Sequence, residues 1–182
     1  MAHNLLSQVF ILSAQHTEEV NFCIRCGQPL AEEFCFGRLR PKCATCGWVY
    51  FADPKVAVAA LIQRDGKILL ARRANDPQRG LWSLPAGFVD AGEDTLQAIE
   101  RECQEETGLT TRVARLIDVL YGQEHPRGAH ILIAYQMEIL GGELQPGDDV
   151  DQVGFFAKDA LPPLAFHTTQ KILQRAQESA LI

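Results

Sequence analysis

Apolar and polar positions follow two rhythms along this chain. Val56-Ala-Val-Ala-Ala-Leu-Ile62 is an unbroken apolar run of strand length, which reads as a buried strand. Asp65-Gly66 is a two-residue hairpin turn, and Lys67-Ile-Leu-Leu-Ala71 is the returning strand. Further strand-like runs cover residues 114–121, 131–139 and 153–156, and helical spacing covers 95–107 and 167–179. Strands interleaved with two helices, with no internal repeat, predict a mixed α/β sandwich over residues 51–182. Near the start, Val9-Phe-Ile-Leu12 is too short to span a membrane and has no basic stretch before it. Residues 1–20 are therefore an extension without an assigned function, and a cytoplasmic location is expected.

The 182 residues suffice for one ordinary domain plus a small module, and 47% hydrophobic residues suffice for a core. A formal net charge of −6 argues against a long phosphate-binding surface. Phosphates, if bound, need local help.

Residues 21–50 supply a different module. Cys23-Ile-Arg-Cys26-Gly27 and Cys43-Ala-Thr-Cys46-Gly47 are two C-x-x-C-G turns with 16 residues between the inner cysteines. Each turn presents two thiolates, and two such turns close one tetrahedral zinc site. Four cysteines fill the shell and leave no position for water, so this zinc is expected to be structural. It holds together a segment too poor in apolar residues to fold alone. Cys35, between Phe34 and Phe36, reads as a packed small hydrophobe.

The helix at 95–107 poses an electrostatic problem. Asp94 or Thr95 can cap its start and Gly108 can end it in the left-handed region, with Leu96, Ile99 and Cys103 as the buried stripe. Glu102, Glu105 and Glu106 then fan over an arc of about 100° from the edge of that stripe. Like charges at this spacing repel, and carboxylates oppose the negative end of the helix dipole. Arg101 can pair with Glu105 but cannot neutralise three acids. A hard divalent ion, Mg2+ or Mn2+, would. The bland alternative is a solvated acidic face. The preceding Leu84-Pro-Ala-Gly87 and Asp90-Ala-Gly-Glu93 join a strand to this helix through glycines that let backbone approach a ligand.

At these residues the sequence resembles the Nudix hydrolases, whose signature is G-x5-E-x7-R-E-U-x-E-E-x-G-U with U bulky and apolar. Gly87, Glu93, Arg101, Glu102, Glu105, Glu106, Gly108 and Leu109 all fall in place, with Cys103 a small residue at the first U. The order of zinc ribbon, Pro54-Lys-Val, Gly80-Leu-Trp-Ser-Leu-Pro-Ala-Gly87 and a late Leu164-Ala-Phe166 is similar to zinc-ribbon Nudix enzymes acting on NADH, FAD or ADP-ribose. The S-Q-P-W-P-F-P-x-S segment that marks NADH pyrophosphatases is replaced here by residues 120–128. The resemblance implies a three-layer α/β/α fold, often a homodimer, and metal-dependent cleavage of a pyrophosphate to two monophosphates.

It further implies that Glu102 and Glu106, with Glu105 and the Ala86 carbonyl, hold Mg2+ or Mn2+, and that Glu93 and Arg101 orient them. The ions would bridge the diphosphate and lower the pKa of the attacking water. An acid from outside the box is expected among Asp148, Asp149 and Asp151, with Glu143 and Glu124 behind them and Asp149 first. For the organic half, Trp82, Phe88, Tyr121 and Tyr135 could stack a base, and Arg72, Arg73, Arg79 or Arg127 could meet phosphates. His125, His130 and His167 read as structural.

Two other readings compete: a zinc-ribbon module that binds nucleic acid, and an enzyme that removes a cap from RNA ends. Residues 20–50 carry four basic and two acidic side chains, and four thiolates on zinc cancel the surplus. A small dinucleotide, with neither membrane nor nucleic acid as partner, is the expectation.

Overall fold

A computed structural model describes residues 20–122, 124–125 and 128–182. The N-terminal extension and Arg127 lie outside the described residues. The chain forms two compact units, divided after Asp53.

In the first unit, β1 (Leu30–Cys35) and β2 (Arg38–Cys43) pair antiparallel from Leu30 opposite Cys43 to Cys35 opposite Arg38. Phe36 and Gly37 at the tip both have positive φ, the geometry of a type I′ hairpin. Two tight turns flank the hairpin: Gly27 N–H donates to Cys23 O at 2.8 Å, and Gly47 N–H donates to Cys43 O at 2.9 Å. Both glycines sit at positive φ, as such turns require.

The second unit is a mixed sheet between two helices. Its strands are β3 (Val56–Arg64), β4 (Lys67–Arg73), β5 (Trp82–Ser83), β6 (Ala86–Phe88), β7 (Leu109–Tyr121), β8 (Ile131–Gly142) and β9 (Val150–Ala157). β3 is central, parallel to β8 on one side and antiparallel to β6 on the other, while β7 runs antiparallel along β8. β4 returns from β3 through the expected Asp65-Gly66 turn and pairs antiparallel with β5 and β9. The strand predicted from residue 114 starts at Leu109, straight out of the helix. Thr110, Thr111 and Arg112 hide that start because they are polar, although threonine suits a strand.

Helix α1 (Thr95–Thr107) covers one face of the sheet and α2 (His167–Glu178) the other. Val58, Ala60 and Ile62 pack with Ala98, Ile99 and Cys103 of α1. Ala57, Ala59 and Leu61 pack with Ile172, Leu173 and Ala176 of α2. The unbroken apolar run of β3 is thus explained: alternate side chains point into two different cores. No described helix is long and apolar enough to cross a membrane.

Asp94 caps α1, its carboxylate accepting from Leu96 N–H at 2.8 Å, and Gly108 ends it at φ 70°. The buried stripe differs from the expected one at its first member: Leu96 is 44% exposed, and Ala98 takes its place beside Ile99 and Cys103. The helix packs most heavily on β7, the strand its own C-cap feeds, so burial is concentrated in its later turns. Cys103 is fully buried, and that burial pushes its thiol up to about 12, so it behaves as a small hydrophobe.

Candidate active site

Arg101, on α1, organises the loop that precedes it. Its guanidinium donates to both oxygens of Glu93 at 2.8 and 2.9 Å, to Glu102 at 2.7 Å, to Glu105 at 2.9 Å and to the Phe88 carbonyl at 3.1 Å. Glu93 also accepts from Asp90 N–H at 3.1 Å. Arg101 first, then the Asp90 amide, hold the Glu93 carboxyl down to about 2. Arginine suits this position because a planar fork of donors can serve several carboxylates at fixed angles.

The three helix acids are not equivalent. Glu105 is half exposed and engaged only at the rim, whereas Glu102 and Glu106 are 7% and 5% exposed. Glu106 accepts from Ala86 N–H at 3.0 Å. Glu102 lies against Gly87, where an added Cβ would collide with its carboxylate carbon and both oxygens. The place left by the missing side chain of Gly87 is therefore the space into which Glu102 fits.

A second loop closes the cluster. Gln145 N–H donates to Thr107 O at 3.0 Å and Gly147 N–H to Glu106 O at 3.2 Å, satisfying carbonyls at the end of α1. This fastens Asp148 and Asp149 beside the buried pair. Desolvation raises both buried carboxyls above the usual range, Glu106 most. Asp149, Glu102 and Asp148 push Glu106 further, and Glu105 and Asp148 add to Glu102 against the pull of Arg101. Asp151 is drawn away, bound to Arg72 at 2.7 Å. Glu124 is elsewhere too, accepting from the first amides of α2.

The acids outnumber the positive groups that reach them, since Arg101 touches Glu102 but not Glu106. An all-oxygen set short of positive charge fits a hard divalent cation. The carboxylates are not drawn to one point, because Arg101 holds Glu102 and Glu105 while Ala86 holds Glu106. The contact seen at Ala86 is through its N–H.

Beside the acids, on the α2 side of the sheet, lies a cavity of about 430 Å³. Ala57 and Ala59 are among its lining residues, with Phe88, Phe166 and Arg73 around them and Ala86 and Gly87 on the wall shared with the acids. Of the aromatic and arginine candidates, Phe88 and Arg73 reach it. Trp82 is a core residue, packed edge-on against Phe156 at 4.8 Å. Tyr135 is buried on the α1 side, its hydroxyl 2.8 Å from that of Thr95. Arg72 is committed to Asp151, and Tyr121 borders a neighbouring cavity of about 380 Å³ that shares Glu124 and Thr168 with the first.

Arg73 reaches the cavity beside a register shift, where Arg72 faces Gln152 and Arg73 faces Val150, leaving Asp151 as the extra residue on β9. Strict alternation would put these neighbours on opposite faces, yet Arg72 lies over Trp82 and Arg73 over Phe166, both on the α2 side. Sequence periodicity has no means of finding such a bulge. His130 is structural as expected, accepting from Lys55 N–H at 3.1 Å, whereas His125 lines the cavity.

In the first unit the sulfurs of Cys23, Cys26, Cys43 and Cys46 all lie within 4.8 Å of one another. Cys23–Cys46 and Cys26–Cys43 are 3.5 Å apart, too far for a disulfide and close to the edge, about 3.8 Å, of a tetrahedron with zinc–sulfur bonds of about 2.3 Å. The amide of Cys46 above all, with the Cys26 thiol and the Thr45 amide, holds the Cys43 thiol down to about 6. The Cys26 and Cys46 thiols are pushed the other way, Cys26 up to about 12. Cys35 stands outside the cluster.

The NUDIX domain family profile matches residues 53–176. The chain is 44% identical over 117 residues to the ADP-ribose pyrophosphatase of Methanocaldococcus jannaschii, covering 64% of this chain and 69% of that one. It is 30% identical over 158 residues to the NAD-capped RNA hydrolase NudC of Chromobacterium violaceum, covering 85% of this chain but only 57% of that one. Among solved structures, a NUDIX hydrolase from Nitrosomonas europaea superposes with a TM-score of 0.78 at 29% identity, covering 87% of this chain and 91% of that one. The chain belongs to the NUDIX family. It is a Nudix hydrolase, with four clustered cysteines consistent with the zinc-ribbon subgroup.

Proposed function

We propose that this protein hydrolyses the pyrophosphate bond of a nucleoside diphosphate joined to another moiety, with ADP-ribose first and FAD and NADH next, releasing AMP and a second monophosphate. The observation that carries this reading is the shared wall. Ala86 and Gly87 line the cavity on one side and touch Glu106 and Glu102 on the other. An organic group seated in the cavity therefore places its pyrophosphate at the acids.

Glu102, Glu106 and Glu105, with the Ala86 carbonyl, would hold Mg2+ or Mn2+. Such an ion, when bound, offsets phosphate charge and makes water a better nucleophile. Arg101 and Glu93 keep the carboxylates aimed, and Asp149 takes a proton from the attacking water. Phe88 and Phe166 flank the organic half, and Arg73 stands at its edge. The four cysteines hold a structural zinc, and the chain works as a homodimer, which sedimentation would test.

The match to a NAD-capped RNA hydrolase extends over the cysteine unit as well as the catalytic one and favours a second reading, in which the same bond is cut within an RNA cap. One panel separates the two: ADP-ribose, FAD, NADH and NAD-capped RNA, each with Mg2+ or Mn2+, with Glu106→Gln as control. ADP-ribose should give AMP and ribose 5-phosphate, and the control should lose about a hundredfold or more. Undiminished turnover by the control would remove Glu106 from the chemistry.

A further inference from the structure

The N-terminus of α2 has a peculiar cap. Its N-cap residue is Phe166, which has no side-chain oxygen to offer the free amides of the first turn. Those amides are served instead from 43 residues away: Glu124 accepts from His167 N–H at 2.6 Å and from Thr168 N–H at 2.7 Å. A carboxylate at this end also complements the helix dipole.

Two members of this contact, Glu124 and Thr168, line the cavity, whereas His167 does not. Glu124 brings with it Gly122, His125 and Ala129 of the segment after β7, and Thr168 brings Phe166 at the start of α2. Short backbone bonds stiffen the Glu124 segment, from Glu124 N–H to Gly122 O at 2.8 Å and from Gly122 N–H to His130 O at 3.0 Å. One side chain thus clamps two segments that the chain connects only through β8, β9 and the segment before α2.

We propose that Glu124 is a positioning residue for substrate binding, setting the width of the cavity by tying the segment after β7 to the first turn of α2. Its carboxylate is turned to the first amides of α2 and not to the helix acids, so it is given no part in proton transfer. The inference rests on the cavity holding the organic half of the substrate, as argued above.

The test is steady-state kinetics of Glu124→Gln and Glu124→Ala on ADP-ribose with Mg2+, beside amide exchange of the unmodified enzyme. KM should rise by about tenfold in Glu124→Ala and less in Glu124→Gln, which keeps one acceptor, while kcat stays within about twofold. The amides of His167 and Thr168 should be protected in the unmodified enzyme, although first-turn amides ordinarily exchange freely; Glu124→Ala should lose that protection and Glu124→Gln should lose part of it. A fall in kcat at constant KM would make Glu124 an acid or base instead and overturn the proposal, as would unchanged kinetics in both variants. Should the variants not fold, unprotected His167 and Thr168 amides in the unmodified enzyme overturn it by themselves. The hydrolase reading fails separately, through the Glu106→Gln control.

Discussion

The carboxylate of Glu102 occupies the place where any side chain at position 87 would begin. Gly87→Ala should therefore displace Glu102, lowering kcat/KM by about a hundredfold and destabilising the fold by about 1–3 kcal/mol. Kinetics on ADP-ribose together with thermal melting measure both effects. A variant with normal turnover would mean that Glu102 can move away at no cost to the reaction.

Arg101 serves three carboxylates and one carbonyl at once. Arg101→Lys keeps the charge but not the fork, and the expected loss is about 10–100-fold in activity or Mn2+ affinity. Calorimetric titration with Mn2+ shows which of the two bears it. A lysine variant equal to the parent would reduce Arg101 to a source of charge alone.

The buried acids make stability depend on pH in opposite senses. Glu102 and Glu106 have raised carboxyls, so the folded state holds their protons longer than the unfolded one. Their contribution falls as pH rises from 4.5, the ordinary value, through their higher folded values. Glu93, held to about 2, contributes above 4.5 and loses that contribution as pH falls toward 2. Melting without Mg2+ should accordingly show a decline as pH rises above 4.5 that Mg2+ removes, since the ion takes the place of the protons. Identical profiles with and without Mg2+ would contradict an ion at these carboxylates.

The two loop acids should separate cleanly. Asp149→Asn is expected to lower kcat by about 10²–10⁴-fold, the range for loss of a general base. Asp151→Asn breaks only an exposed pair with Arg72 and should leave kcat within about threefold. Reversed effects would move the proton acceptor to Asp151 and imply that its bond to Arg72 opens during turnover.

Metal analysis of the purified protein should find one zinc per chain, lost in Cys43→Ser. Without the ion the hairpin of β1 and β2 should lose its order, because its hydrophobic side chains are largely exposed: Phe34, Phe36 and Leu39 are 71%, 75% and 63% accessible. Amide exchange across residues 22–50 reports this directly. Retained protection in the zinc-free variant would show that the hairpin folds unaided.

Features set by neighbouring residues were legible in the sequence. Asp94 as cap, Gly108 as the left-handed end of α1, Asp65-Gly66 as hairpin and the two cysteine turns all depend on a few adjacent side chains and on backbone sterics. The acidic helix was legible as well, because charge repulsion along one helix face follows from spacing alone. Trp82 lies in the core and Tyr121 at a neighbouring cavity, and the sequence could not tell them apart, since an aromatic residue carries no mark of whether it faces a core, a groove or a ligand. Leu96 failed for a related reason: periodicity gives the face of a helix but not how far along its length that face is covered.

By itself the sequence determined the α/β order of elements, the cysteine cluster and the acidic, glycine-opened helix, because each arises from contacts within a short stretch of chain. Only the tertiary structure decided that Glu102 and Glu106 are buried while Glu105 is not, that Asp149 joins them while Asp151 pairs with Arg72, and that Arg73 turns toward the cavity. Those outcomes depend on how distant segments pack, on a bulge in β9 opposite Arg72 and Arg73, and on which amides at a helix end need an acceptor. Such demands are settled between elements, and no local pattern of residues contains them.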